Sequence, residues 1–161
     1  MVYLADPLNV EAFKFLGSRK IVEQIDSEVQ ALEILQDAFR GISDREAAAR
    51  YLQENASKNA INGLIKALND NDFGVRCAAS EALARLGEQA LPNVLSSIIH
   101  GYNARLREGA YHVLHYNISV WVWQNAEPLM QALKSFTPDV QGPQAAARLL
   151  DKFQHRQQDA E

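Results

Sequence analysis

Apolar positions recur along this chain at helical spacing, and short polar turns separate the runs at regular intervals. The clearest run is residues 69–86, NDNDFGVRCAASEALARL, followed by Gly87. Val75, Ala79, Ala82, Leu83 and Leu86 fall three and four residues apart, which predicts one buried stripe on an amphipathic helix. Asp72 is placed to cap that helix, because its carboxylate can accept from the free N–H groups of the first turn. Gly87 can take the left-handed conformation that ends a helix.

The same alternation of cap, stripe and stop fills the rest of the chain. Asp6-Pro7 opens a first helix, with Leu8, Ala12, Phe15 and Leu16 inward and Gly17 as its stop. A shorter helical segment, 18–25, puts Ile21, Val22 and Ile25 on one face. Ser27 and Gln30 have capping-box spacing before a helix that reaches Phe39, with Leu32, Leu35 and Phe39 inward. Ser43 and Glu46 repeat that box before a helix over 44–54. Ser57 starts a helix carrying Ile61, Leu64, Ile65 and Leu68. Pro92 sits in the first turns of the next helix, where its missing N–H costs little. Gly101 closes that helix, and Asn103 caps another over 104–116.

These runs repeat with a period of 31 residues. Arg45, Arg76 and Arg107 share one frame, as do Ala48, Ala79 and Ala110, and Leu52, Leu83 and Leu114. Ile61, Leu64 and Leu68 align with Pro92, Leu95 and Ile99 at the same period. Two helices per period of this length predict an all-α chain, an α-solenoid of stacked antiparallel helix pairs in a right-handed superhelix. Neither helix of a pair can bury its apolar face alone, so neighbouring pairs must bury it together. The frame then breaks. Ala126-Glu127-Pro128-Leu129 repeats Ala90-Leu91-Pro92-Asn93 at an interval of 36, and the extra residues lie at 118–124, ISVWVWQ. Their alternation fits a short extended segment or a longer helix. A last pair follows over 128–136 and 143–153, separated by Thr137-Pro138 and Gly142. The expected organisation is one domain: N-terminal capping helices (1–42), regular repeats (43–117), an insert (118–125), a C-terminal capping pair (126–156) and a fraying tail (157–161).

The turn acid Asp72, the Val75-Arg76 pair, Ala79, Ala82-Leu83 and Leu86-Gly87 resemble the HEAT family, in particular the short HEAT-like repeats of phycobilisome lyase proteins. The next copy keeps Asn103, Leu106-Arg107, Ala110 and Leu114, with Asn117 in place of Leu86. The resemblance covers roughly 44–117. It implies a repeat scaffold; in the lyase branch it implies proteins that bind bilins and phycobiliprotein subunits, often as two-protein assemblies.

Composition narrows the function. Sixteen Lys and Arg against twenty Asp and Glu give a formal charge of −4, which argues against bulk nucleic-acid binding. No apolar run approaches the roughly 18 residues of a membrane span, and the N-terminus lacks the basic and apolar regions of a secretory signal. One cysteine forbids an intramolecular disulfide and fits a reducing, cytoplasmic setting.

The candidate chemistry is sparse. The arginines at the 31-residue period either line up as anion contacts or, as befits a repeated position, pair with acids in neighbouring turns such as Asp70 or Asp72. Tyr102, Tyr111, Tyr116, Trp121 and Trp123 gather in one stretch of a chain with only thirteen aromatics. Such residues suit a binding surface, and equally suit packing of the insert onto the solenoid. His112 and His115 share a helix face, but no further ligand has the spacing of a metal site. Cys77 lacks an implied base, and its plain reading is a small residue in helix packing. No phosphate loop, nucleophile triad or convincing carboxylate pair is present.

Helical spacing gathers Arg107, Glu108, Tyr111, His112 and His115 on one side of their helix, with residues 106, 110, 113 and 114 toward the core. One period back, Arg76, Cys77, Ser80 and Glu81 lie beside them with smaller side chains, and Trp121 and Trp123 follow as a possible wall. The expected binding set is therefore Arg76, Tyr102, Arg107, Glu108, Tyr111, His112, His115, Trp121 and Trp123, with no catalytic or metal-ligating residue. The leading function is a non-catalytic scaffold or adaptor that binds another protein on its concave face and needs no cofactor. The alternative, implied by the resemblance, is a lyase-like or phycobilisome-turnover factor that handles a bilin with a phycobiliprotein or a second HEAT-repeat subunit. A third reading, a helical-repeat nucleic-acid enzyme, conflicts with the acidic balance.

Overall fold

The computed structural model describes residues 24–54, 56–101 and 103–160. The predicted helix over 6–17 and most of the 18–25 segment lie outside them, as does Tyr102. Among the described residues there are nine α-helices and no strands. They are α1 (Glu28–Gln36), α2 (Ile42–Glu54), α3 (Lys58–Ala67), α4 (Phe73–Leu86), α5 (Leu91–His100), α6 (Ala104–His115), α7 (Val120–Asn125), α8 (Glu127–Leu133) and α9 (Pro138–Gln158). A 3₁₀ turn, Gly87–Gln89, joins α4 to α5.

Short polar side chains set most helix starts. Ser57 accepts from Asn59 and Ala60 N–H, Asp72 from Gly74 N–H, and Asn103 from Leu106 N–H. Ser27 accepts from Gln30 N–H at 3.2 Å, while the Gln30 side chain returns to Asp26 N–H rather than to Ser27. Gly87 ends α4 at φ +60°, a region that favours glycine.

The helices form two layers. The first helix of each pair, α1, α3 and α5, packs on its like; so do the second helices α2, α4 and α6. Between the layers runs one continuous core. The leucines of the 31-residue frame, Leu52, Leu83 and Leu114, are buried in it, with the alanines Ala48, Ala79 and Ala110 against them. From the stripe of α4, Val75, Ala79, Ala82 and Leu83 are buried and Leu86 is half-buried.

Several expected boundaries move. α1 stops at Gln36, and Phe39, expected inward, is 99% exposed. The cause is Asp37, whose carboxylate accepts from Phe39 N–H at 2.9 Å and draws the backbone into a turn. α2 starts at Ile42, with the Gly41 carbonyl accepting from the N–H groups of Asp44 and Arg45, so Ser43 lies inside the first turn rather than capping it. Residues 118–124 are mostly helical: Asn117 Oδ1 accepts from Ser119 N–H, and Ser119 then caps α7.

The C-terminal pair differs most. Two helices do part before Thr137-Pro138, but the second starts there, at Pro138, so Gly142 and Pro143, expected to separate and to open it, lie inside α9. Phe136 is exposed. α9 continues to Gln158, past the expected onset of fraying, because Arg156 donates to Glu88 at 2.9 Å and covers the Trp121 ring. The Ala126-Glu127-Pro128-Leu129 match to the start of a first helix is also misleading. α8 packs on α6 in the second layer, and α9 takes the next place in the first layer against α5. The short α7 turns the chain so that two successive helices change layers in the opposite order.

Candidate functional site: the exposed ridge of α6

α6 buries Leu106, Gly109, Ala110, Val113 and Leu114 against the core. Gly109 lets α6 approach closely: a Cβ there would come within 2.9 Å of Leu68 Cδ2 and displace the Leu68 side chain. The opposite face carries the expected residues. Glu108, His112 and His115 are exposed; Arg107 and Tyr111 are half-buried.

Spacing of four residues stacks the rings of this face along the helix. Tyr111 lies 5.7 Å from His115 and His112 6.0 Å from Tyr116, each pair close to parallel. His115 meets Tyr116 edge-on at 4.7 Å. The result is a ridge of four aromatic rings with a hollow on each side.

Toward α4 the hollow is a groove of about 500 Å³. Cys77, Ser80, Ala84 and Arg85 form one bank, and His112 and Tyr116 the other. Ile118 closes one end: its N–H donates to the Ala84 carbonyl at 3.2 Å while its side chain is 67% exposed. Arg85 is held on the bank by Glu81 at 3.0 Å. Burial pushes the Cys77 thiol above the ordinary cysteine range; neighbouring Arg76 opposes this, while Glu108 and Glu46 add to it. That environment keeps the thiol protonated near neutral pH, the reverse of an activated nucleophile.

Toward α8 lies a second hollow of about 640 Å³, between the first turns of α6 and the C-terminal end of α8. Lys134 spans it, donating to Tyr111 OH at 2.6 Å with its ammonium 3.9 Å from the ring centre.

The periodic arginines divide. Arg45 is buried, donates twice to the Leu35 carbonyl at 3.1 and 3.2 Å, and forms an ion pair with Asp70. Arg76 donates to the carbonyls of Asp70 and Asn71, at 2.9 and 3.1 Å, in the turn before its own helix. It cannot copy Arg45, because the residue one period beyond Asp70 is Gly101. Arg107 has no hydrogen-bond or ion-pair partner among the described residues. Arg105 instead reaches the same turn, donating to Asn71 Oδ1 at 2.8 Å.

The tryptophans do not wall the groove. Trp121 packs edge-on against Phe153 of α9 at 5.2 Å, turned to the far side of α7. Trp123 is 70% exposed but lines neither hollow. The groove's wall is Ile118, an insert residue not singled out by its sequence, and the cation of the second hollow is Lys134, which carries no sequence signal. Tyr116 belonged to the recognised aromatic cluster, and only its four-residue spacing from His112 marks it as part of the ridge. Among the described residues no group of three or more His, Cys, Asp and Glu could hold a metal ion, and no helix is long and apolar enough to cross a membrane.

No curated protein and no solved structure matches the chain significantly. The family model for HEAT repeats matches residues 29–115, just over half of the 161-residue chain. That match spans α1 through α6, the part in which paired helices stack in two layers, and the chain belongs to the HEAT-repeat family.

Proposed function

We propose that this protein is a non-catalytic adaptor that holds another protein against the exposed ridge of α6. HEAT repeats generally serve as protein-binding scaffolds. The observation that carries the reading here is the groove between α4 and α6. It sets small side chains, Cys77, Ser80 and Ala84, against stacked rings, with Tyr116 and Ile118 two-thirds exposed at its edge. Exposed rings beside a hollow supply large contact area at low entropic cost, as binding hot spots do. The partner class implied by the resemblance to lyase-type repeats is a phycobiliprotein or a second HEAT-repeat subunit, met in the cytoplasm.

The one cysteine of the chain lies in this groove, which gives a direct test. Cys77 is labelled with a thiol-reactive photo-crosslinker, and the full chain is illuminated in source lysate. One discrete adduct is expected, and it should be lost in His112→Ala/Tyr116→Ala, with affinity for the captured protein down more than about tenfold, or ~1.4 kcal/mol. Equal adducts from a label moved to the first layer (Cys77→Ser with Lys58→Cys) would place binding elsewhere.

A linear tetrapyrrole is the second ligand reading. It is favoured by the stacking rings His112 and Tyr116 with Arg85 at the groove's rim, a setting for a flat conjugated acid. Absorbance titration with free bilin separates the two; an unshifted spectrum ends this one.

A further inference from the structure

In the first repeat, an arginine of a second helix is neutralised by the acid of the turn it faces, as Arg45 is by Asp70. At the far end of the same layer, Arg107 faces the turn that ends α8, and that turn presents Lys134 and Ser135 instead of an acid. The charge at the facing position is reversed. Arg105 lies in the same hollow, and the single acid among its lining residues is the exposed Glu108. Three cations against one anion is a local excess of positive charge on a chain whose formal charge is −4.

None of the three cations is neutralised from within. Arg107 has no partner among the described residues. Arg105 donates to the neutral Asn71 side chain and the Asn69 carbonyl. Lys134 donates to the neutral Tyr111 hydroxyl. The hollow holds about 640 Å³, room enough for a side-chain carboxylate to enter between Arg107 and Lys134. A guanidinium offers a two-pronged donor to such a group, and the ammonium a second point charge.

We propose that the hollow between α6 and α8 receives a carboxylate side chain from an acidic segment of the partner protein. This rests on the adaptor reading and names the chemistry of the partner. Charge complementarity decides the class: the rest of the chain is acidic and repels such a segment, so this hollow fixes where it docks.

The test uses the full chain and a fluorescein-labelled octaglutamate peptide, read by fluorescence anisotropy at low salt, where screening is weak. Saturable binding is expected. Arg107→Gln/Lys134→Gln should weaken it at least tenfold, while Arg148→Gln/Lys152→Gln on α9, with the same loss of charge, should change it less than twofold. Competition by octaglutamate but not by equal-charge inorganic phosphate identifies the carboxylate source. Absence of saturable binding, or equal loss in both double variants, overturns the proposal. Circular dichroism of each variant confirms that folding is retained. The Cys77 crosslink is read independently, so loss of the acidic-segment claim with the crosslink intact leaves the adaptor reading standing.

Discussion

The buried ion pair that joins the first two described repeats sets the clearest stability test. Arg45 and Asp70 have side chains only 7% and 13% exposed. Truncation by Arg45→Met removes the guanidinium and roughly preserves the apolar stem. It strands the Asp70 carboxylate, whose remaining donor is Asp72 N–H at 2.9 Å, and it leaves the Leu35 carbonyl without its two donors. Breaking a buried pair from one side costs about 3–5 kcal/mol. Arg45→Met/Asp70→Asn removes the stranded charge while an amide oxygen can still accept from Asp72 N–H. What remains is the unpaired carbonyl, worth about 1–3 kcal/mol. The double variant should therefore recover roughly 2 kcal/mol of the single variant's loss.

The assay is urea unfolding followed by far-ultraviolet circular dichroism. Arg45 is on α2, Leu35 on α1, and Asp70 in the turn between α3 and α4, so the pair joins one repeat to the next. In a solenoid, stability is a sum of repeat and interface contributions, and loss of one interface uncouples the repeats on its two sides. Arg45→Met should thus produce an early transition of partial amplitude before the main one. A loss below ~1 kcal/mol, the range of exposed surface pairs, with a single unsplit transition, would refute the reasoning.

Two further outcomes follow, one from a buried position and one from an exposed one. Leu83→Ala, at a fully buried site of the 31-residue frame, should cost about 2–5 kcal/mol in the same urea assay, and a loss under ~0.5 kcal/mol would mean the site collapses without a cavity. Alkylation of Cys77 by iodoacetamide, which consumes the thiolate, should reach half its maximal rate at a higher pH than a free cysteine peptide. Glu108→Gln should lower that midpoint and Arg76→Gln raise it, since one charge disfavours the thiolate and the other favours it; a midpoint below that of the peptide contradicts the burial argument.

The regular part of the fold was legible because its determinants are local. Ser57, Asp72 and Asn103 cap their helices through bonds to N–H groups two or three residues away, and a sequence displays that spacing directly. Leu52, Leu83 and Leu114 were readable because the period puts each in the same environment. Phe39 was misread because two local signals compete there, and the Asp37 side chain outcompetes the helical bond of the next residues. The layer taken by α8 was not legible. Its proline and the alanine before it match Pro92 and Ala90 at the start of α5, but its place is decided by how far α7 turns the chain. The site shows the same split. The face carrying Arg107, Glu108, Tyr111, His112 and His115 followed from helical spacing. The separation of Trp121 from it depends on Phe153 and Arg156, some thirty residues distant in the chain.

The turn made by α7 is also what makes the α6 ridge unlike the others in its layer. α4 has an ordinary repeat neighbour on each side, α2 and α6. α6 has α4 on one side and, on the other, the seven-residue α8, whose C-terminal end meets its first turns. The two flanks therefore differ in chemistry: small and ring side chains toward α4, cations toward α8. On the proposed reading, one partner segment crossing the ridge is recognised at two points, an acidic side chain near Arg107 and an apolar one near Tyr116. Nine residues of helix separate those points, roughly 13 Å along the axis at ~1.5 Å per residue. Nine steps of about 100° also put them on opposite flanks of α6, so the segment must cross the ridge obliquely and span more than that axial distance, with the stacked rings beneath the stretch between its two anchoring side chains.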